Sequence, residues 1–336
     1  MAGSSNAAMA ASVAKAGGLG SIPCGMLSPD QIRAEIAAFR AQVDAPVNLN
    51  FFCHIPPAAF EEQQASWLKK LTPYYKEYGI EPSLSGAARA AFNKDLCALV
   101  EELKPEIVSF HFGLPAQDLL ARVKKTGAKI LSSATSVREA VWLERHGCDA
   151  VIAQGYEAGG HRAMFLETNI LNQPGTIALV PQIVDAVSIP VIASGGIADA
   201  RGIAAAFMLG ASAVQIGTAY LFCSESLISP SYRAELEKAS DADTAITNIF
   251  SGRPARGIIN RFIREQGAMN ADAPPFPMAS QPLAALRAKA ETAGDPSFSP
   301  LWSGQSARLA PRNMDARELT LFLAESTQKL LKNQII

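Results

Sequence analysis

Two glycine-bearing segments have the residue types needed to bind a phosphate. The first covers residues 190–197 and the second covers residues 213–218. Glycine lets bare backbone N–H groups approach an anion at a helix N-terminus, where the helix dipole also favours negative charge. Two such segments in succession predict a phosphate site, although either one alone is also typical of a tight turn. The candidate binding residues are Gly195, Gly196, Gln215, Ile216, Gly217 and Thr218.

A third glycine-rich segment, residues 151–162, contains the leading acid–base candidate. It begins with an apolar run and continues through Gln154, Gly159 and His161. A histidine can take up or release a proton near neutral pH, which suits a general base beside a bound cofactor. We therefore take His161 as the catalytic candidate, while the pattern alone fits a solvated loop histidine equally well.

Three further polar residues lie in strand-like runs or directly after one. His111 directly follows an apolar run at residues 107–110, so it is either a substrate contact or a packed, hydrogen-bonded histidine. Asn48 and Asn50 share one face of their strand because side chains alternate with a period of two. A buried asparagine needs hydrogen-bond partners, and Asn50, nearer the strand end, is the candidate for a cofactor contact.

Short β-branched runs alternate with helical stretches, which indicates βα units around a parallel sheet. Regular crossovers between seven strands favour an α/β fold of the (β/α)₈ barrel type with one strand missing. An open doubly wound sheet predicts the same alternation. The predicted strands are residues 19–22, 47–52, 107–110, 129–132, 150–153, 190–193 and 213–216.

Two segments break this alternation and are expected to form a mostly helical lid over the substrate site. The predicted division is residues 1–53 and 93–225 for the barrel, residues 54–92 and 226–313 for the lid, and residues 314–336 for a C-terminal helix packed on the barrel.

The lid contains two segments with unusual composition. Residues 271–282 include four prolines and are expected to form a long surface connection. Residues 253–264 include four arginines at mixed spacing, for which a solvated face is favoured over an anion-binding patch.

Composition favours small-molecule chemistry in the cytoplasm. The 336-residue chain is 49% hydrophobic with a formal net charge of −1, so no strong field attracts nucleic acid or anionic lipid. Its five cysteines have no paired or metal-binding spacing, which favours a reducing compartment and no metal site. No secretion signal or membrane-spanning segment is expected, and the oligomeric state is left open.

Several short motifs along the chain together match the pattern of one protein family. The most specific is Glu-Ala-Gly-Gly-His at residues 157–161, within the longer stretch 154–161. With these motifs the chain resembles the nitronate monooxygenase family, formerly called 2-nitropropane dioxygenases, and in particular its bacterial class I members. The other matching stretches are residues 16–21, 48–52, 109–113, 194–197, 215–218 and 302–305.

The resemblance implies a TIM barrel with a helical lid, non-covalently bound FMN, and oxidation of alkyl nitronates such as propionate 3-nitronate by O₂. It implies that His161 is the catalytic base. The FMN contacts carried over by motif are Asn50, Gln154, Gly159, Gly196 and residues 215–218.

One departure from the family pattern concerns the first barrel strand. Family members open with a strand that ends in an Ala-Pro-Met-Ala-Gly-like turn, and this chain begins with Met1-Ala-Gly. We therefore expect the barrel to lack its first strand, with an open position between the strands at residues 19–22 and 213–216.

Two alternative functions are compatible with the same motifs. One is an FMN-dependent, nicotinamide-using enoyl-thioester or quinone reductase of the same superfamily. The other is an inactive, truncated barrel that no longer retains FMN.

Overall fold

The computed structural model describes residues 1–58, 60–84 and 90–333. Its strands are β1 (Gly20–Pro23), β2 (Val47–Phe52), β3 (Ile107–His111), β4 (Lys129–Ala134), β5 (Ala150–Gln154), β6 (Gly160–His161), β7 (Val191–Ser194), β8 (Ala213–Gln215), β9 (Thr244–Thr247) and β10 (Ala255–Ile258). Its helices are α1 (Ala7–Lys15), α2 (Pro29–Arg40), α3 (Glu61–Glu77), α4 (Lys94–Leu103), α5 (Gln117–Lys125), α6 (Val137–Arg145), α7 (Thr176–Ala186), α8 (Ala200–Met208), α9 (Pro230–Lys238), α10 (Arg261–Gln266), α11 (Ala284–Thr292) and α12 (Ala316–Asn333).

Seven parallel strands form the main sheet, in the order β1-β2-β3-β4-β5-β7-β8. All seven predicted strands are present, with bounds that differ by at most two residues from those expected. Within the described residues β8 and β1 are not paired, so the sheet is open between them. The predicted barrel with an open position between its first and last strands is confirmed.

Side-chain alternation separates the two faces of this sheet. On β2, Val47, Leu49 and Phe51 are buried in the large core that the surrounding helices share, and Asn48 and Asn50 face the other side. A smaller apolar cluster on that inner side comes from the next strands and contains Ile107, Leu131, Ala150, Ile152 and Ile192. The inner face therefore carries an apolar cluster from β3, β4, β5 and β7, and polar side chains on β1, β2 and β3 that include Ser21, Asn50 and Ser109.

Helix caps fix where the helices leave the strand ends. Asp199 accepts hydrogen bonds from the backbone N–H groups of Arg201 and Gly202, so α8 begins just after the glycine turn that follows β7. Ser28 and Gln31 form a capping box at the start of α2, where Pro29 occupies the first turn.

A second apolar core lies among residues outside the main parallel sheet. Trp67 and Tyr74 of α3 pack edge-on against Phe262 of α10, and Tyr74 also contacts Phe298. The strands outside the main sheet form a three-stranded antiparallel sheet in the order β6-β10-β9. This sheet was not predicted, because β6 has only two residues and β10 carries Arg256 and Gly257.

Two expectations about residues 253–282 were wrong. Residues 271–282 do not run only over the surface, because Phe276 is 6% exposed and packs against other aromatic rings. The arginine-rich segment is not a solvated face throughout, because Arg256 lies in β10 and is 3% exposed.

The three proposed regions are only partly described by the structure. Residues 59 and 85–89 of the proposed lid and residues 334–336 of the C-terminal region lie outside the described residues. Helix α12 packs against α1 and α8 of the barrel.

Among the described helices, none is both long enough and apolar enough to cross a membrane.

Candidate active site

The loop that carries His161 is tied to the barrel by the carboxylate of Glu157. This loop leaves β5 and approaches the start of α7, where the backbone N–H of Thr176 donates to Glu157 at 2.9 Å. The Thr176 hydroxyl lies 2.9 Å from the same carboxylate and 2.8 Å from the carbonyl oxygen of Gly195. A carboxylate is stabilised at a helix N-terminus by the helix dipole. The loop after β5 is therefore fastened to the turn after β7.

A second carboxylate holds the other side of this loop. Glu139 is fully buried and accepts hydrogen bonds from the backbone N–H groups of Thr135, Phe165 and Leu166, at 2.7, 2.6 and 3.1 Å. Since a buried carboxylate needs such donors, this arrangement fixes residues 165 and 166 against α6.

The imidazole of His161 contacts a serine hydroxyl and is surrounded by aromatic rings. Its Nε2 lies 2.9 Å from the hydroxyl oxygen of Ser251. Four rings lie within 6.4 Å of its own ring, measured between centroids. These four aromatic residues, called here the aromatic cage, are Phe52, Phe112, Phe276 and Trp302.

The backbone of His161 is positioned by two of the predicted site residues. Its carbonyl oxygen accepts a hydrogen bond from the Gln154 side chain at 2.9 Å and lies 3.2 Å from His111 Nε2. Gln154 also accepts from the Ala163 N–H at 2.8 Å. Burial lowers the pKa of His111 to about 3, so its ring is neutral and donates from Nε2. In this structure both side chains therefore support the His161 segment.

Three arginines surround this segment. Arg162 is fully buried and Arg256 is nearly so, while Arg253 is half-buried. None of them takes part in the ion pairs that the described residues form. Burial lowers the pKa of Arg162 and of Arg253 to about 10, which leaves both protonated at neutral pH. The surroundings of His161 thus favour a negatively charged ligand.

Asn48 and Asn50 share one hydroxyl partner on the inner face of the barrel. Both side-chain amides lie 2.9 Å from the hydroxyl of Ser109, and Asn48 also donates to Ser21 at 2.9 Å. The amide oxygen of Asn48 is buried and has no hydrogen-bond partner within the described part of the chain. A ligand with an N–H donor would satisfy this oxygen.

The glycines at the strand ends differ in what surrounds them. Gly195 and Gly196 have positive φ angles of 113° and 70°, which glycine adopts without strain. A Cβ atom on Gly159 would lie 2.5 Å from the Gly304 backbone nitrogen, so these two segments are in close contact. A Cβ atom on Gly217 would meet no protein atom within 4 Å. The backbone after β8 is therefore open to a ligand.

The remaining predicted cofactor residues lie beside this open backbone. Thr218 begins a short 3₁₀ helix and accepts a hydrogen bond from the Gly304 N–H at 2.9 Å. Gln215 is exposed, and Ile216 packs against the main core. The structure thus brings Gly159 and Thr218 together through Gly304.

Several residues around His161 were missed as site residues in the sequence. Ser251 and Arg253 lie in the connection between β9 and β10, and Phe276 lies in the proline-rich segment. Trp302 belongs to a stretch that matched the family, which was the one available signal. Arg253 begins the arginine-rich segment, for which a solvated face was favoured, whereas a single serine or phenylalanine without a periodic pattern gives no signal.

Comparisons with known proteins agree with the resemblance. A family model described as nitronate monooxygenase matches residues 1–325. The nitronate monooxygenase of Paraburkholderia phytofirmans is 41% identical over 340 residues, which cover 99% of this chain and 92% of that protein. The nitronate monooxygenase of Pseudomonas aeruginosa is 41% identical over 329 residues, which cover 97% and 93%.

Solved structures share the fold over nearly the whole chain. Nitroalkane oxidase from Streptomyces ansochromogenes is 34% identical with a TM-score of 0.91, and the match covers 99% of this chain and 95% of that one. FabK from Thermotoga maritima is 30% identical with a TM-score of 0.76, and the match covers 100% and 93%. The chain therefore belongs to the nitronate monooxygenase family of flavin-dependent oxidoreductases.

Proposed function

We propose that this protein is an FMN-dependent nitronate monooxygenase. It oxidises alkyl nitronates, such as propionate 3-nitronate, with O₂ to a carbonyl compound and nitrite or nitrate. The observation that carries this proposal is the position of His161, held by Ser251 inside the aromatic cage and near Arg162 and Arg253, each of which has a buried N–H without an acceptor among the described residues. An imidazole beside positive charge suits a reaction whose substrate is, or becomes, an anion.

The inner face and the strand ends fit a bound flavin mononucleotide. The unpaired oxygen of Asn48 suits a ring N–H donor, and the open backbone at Gly217 suits a phosphate. When bound, FMN supplies the electron acceptor for the nitronate and the site of reaction with O₂. The residues proposed to hold it are Asn50, Gln154, Gly159, Gly195, Gly196, Gln215, Ile216, Gly217 and Thr218.

His161 is proposed to handle the proton of the substrate. With a neutral nitroalkane, its ring accepts the carbon-bound proton and leaves the nitronate anion; with a nitronate, it orients the ligand. Ser251 keeps the ring in place, and the aromatic cage surrounds it with apolar groups. His111 is proposed as a substrate-side contact that acts through the His161 backbone.

Oxygen uptake tests this function directly. The flavin-loaded protein should consume O₂ when a nitronate is added, and the nitronate should reduce its flavin under anaerobic conditions. Rapid anaerobic reduction by NADH or NADPH, with no reaction of nitronates, would instead establish the reductase alternative. A purified protein without flavin absorbance that does not take up FMN would exclude both enzymes.

The cysteines support a cytoplasmic location for this activity. All five are free thiols, and four of them are buried. A reducing compartment preserves such thiols, and the substrates proposed here are small molecules rather than nucleic acid or membrane.

A further inference from the structure

Arg253 is a cation whose bonding capacity is only partly used. Its guanidinium group lies 4.0 Å from the centroid of the Phe112 ring, and its Nη2 donates to the carbonyl oxygen of Met164. Its Nε–H is buried and has no acceptor within the described part of the chain. A buried donor without an acceptor costs free energy, and a ligand oxygen would recover it.

No carboxylate of the described residues forms an ion pair with Arg253. The charge that acts on it most is that of Glu139, whose oxygens already accept from backbone N–H groups, including those of Phe165 and Leu166. The positive charge therefore remains available to a bound anion.

Arg253 is linked to His161 through two shared neighbours, Ser251 and Phe112. Its carbonyl oxygen lies 3.3 Å from the Ser251 hydroxyl, which also contacts His161 Nε2. The Phe112 ring beneath its guanidinium contacts the His161 ring edge-on, with 6.0 Å between centroids. Its charge also contributes to the lowered pKa of His111. One residue thus separates Arg253 from His161 on each of two routes, through Ser251 and through Phe112.

We propose that Arg253 recognises a planar oxyanion, the nitronate group, and makes the enzyme select ionised substrate over the neutral nitroalkane. Arginine suits this role because its planar guanidinium matches two oxygens of a flat, charge-delocalised anion. The proposal deepens the proposed function and rests on it for the identity of the anion.

Nitrate is the probe, because it is a planar oxyanion that the enzyme cannot turn over as a nitronate. Sodium nitrate is titrated into the flavin-loaded protein at constant ionic strength and followed by calorimetry. R253Q removes the charge and keeps a donor for the Met164 carbonyl, while R253K keeps the charge. The matched control is R312Q, because Arg312 also lies on a ring, that of Phe222, and donates to two carbonyls.

R253Q should weaken nitrate binding at least about tenfold, which is the size expected for losing a hydrogen bond to a charged group. R253K should retain most of the affinity, and R312Q should bind nitrate as the parent protein does. In kinetics, R253Q should lower kcat/KM for the nitronate at least about tenfold more than kcat/KM for the neutral nitroalkane.

Nitrate affinity that is unchanged in R253Q, or equally weakened in R312Q, would overturn the role of Arg253. A parent protein that does not bind nitrate in competition with nitronate would overturn it as well. If oxygen uptake with nitronates is absent but nitrate binding still depends on Arg253, the proposed function fails and the anion site stands.

Discussion

His161 Nε2 lies 2.9 Å from the hydroxyl oxygen of Ser251, a residue 90 positions later in the chain. That hydroxyl also lies 3.3 Å from the carbonyl oxygen of Arg253, which can only accept a hydrogen bond. Ser251 therefore donates to Arg253 and accepts from His161, so the proton of the neutral imidazole is held on Nε2.

Replacing Ser251 with alanine should lower turnover of a neutral nitroalkane about tenfold while leaving flavin content unchanged. Without an acceptor for its Nε2–H, the imidazolium form is less stable. The acidic limb of the pH–rate profile should therefore move to lower pH. S251T keeps the hydroxyl, so it should restore both the turnover of the neutral nitroalkane and the position of the acidic limb. A profile that does not move in S251A would leave Ser251 with a packing role only.

Asparagine at position 161 should separate catalysis from cofactor binding. H161N removes the base, so turnover of neutral nitroalkanes should fall at least about a hundredfold, and turnover of nitronates should fall less. Flavin absorbance and oxygen uptake measure the two properties in one preparation. If H161N is purified without flavin, His161 is a structural residue.

Alanine at position 217 tests the phosphate site without a clash in the protein. A Cβ atom there meets no protein atom within 4 Å, so the melting temperature of the flavin-free protein should be unchanged. If the bare backbone approaches a phosphate, the dissociation constant for FMN should rise several-fold. The comparison variant is G159A, whose Cβ would lie 2.5 Å from the Gly304 nitrogen and should cost about 1–3 kcal/mol of stability. Unchanged FMN affinity in G217A would place the phosphate elsewhere.

The barrel could be predicted because each of its strands is a short apolar run with a clear end. Local pattern also indicated the His161 loop, since glycines mark close approaches such as that of Gly159 to Gly304. The partners of His161 could not be predicted in this way. Ser251 and Phe276 reach it through tertiary packing of a segment that has neither periodic pattern nor motif, and only long-range contacts reveal them.

The neutral state of His111 should make stability depend on pH. Its pKa lies at about 3 in the folded protein because of burial, against an ordinary value of 6.5. The unfolded chain therefore binds a proton that the folded chain does not, and the stabilising contribution is present above pH 6.5 and is lost as the pH falls toward 3. Between pH 7 and pH 5, this residue should lower the free energy of unfolding by about 2 kcal/mol.

H111Q tests this dependence, since glutamine can still donate to the His161 carbonyl oxygen but does not titrate. Urea unfolding of both proteins at pH 7 and pH 5 should show a smaller loss of stability in H111Q, by about the same 2 kcal/mol. Oxygen uptake at pH 7 reports whether the variant keeps its folded site. Equal losses in the two proteins would mean that His111 is protonated as readily in the folded state as in the unfolded chain, which would contradict the neutral ring.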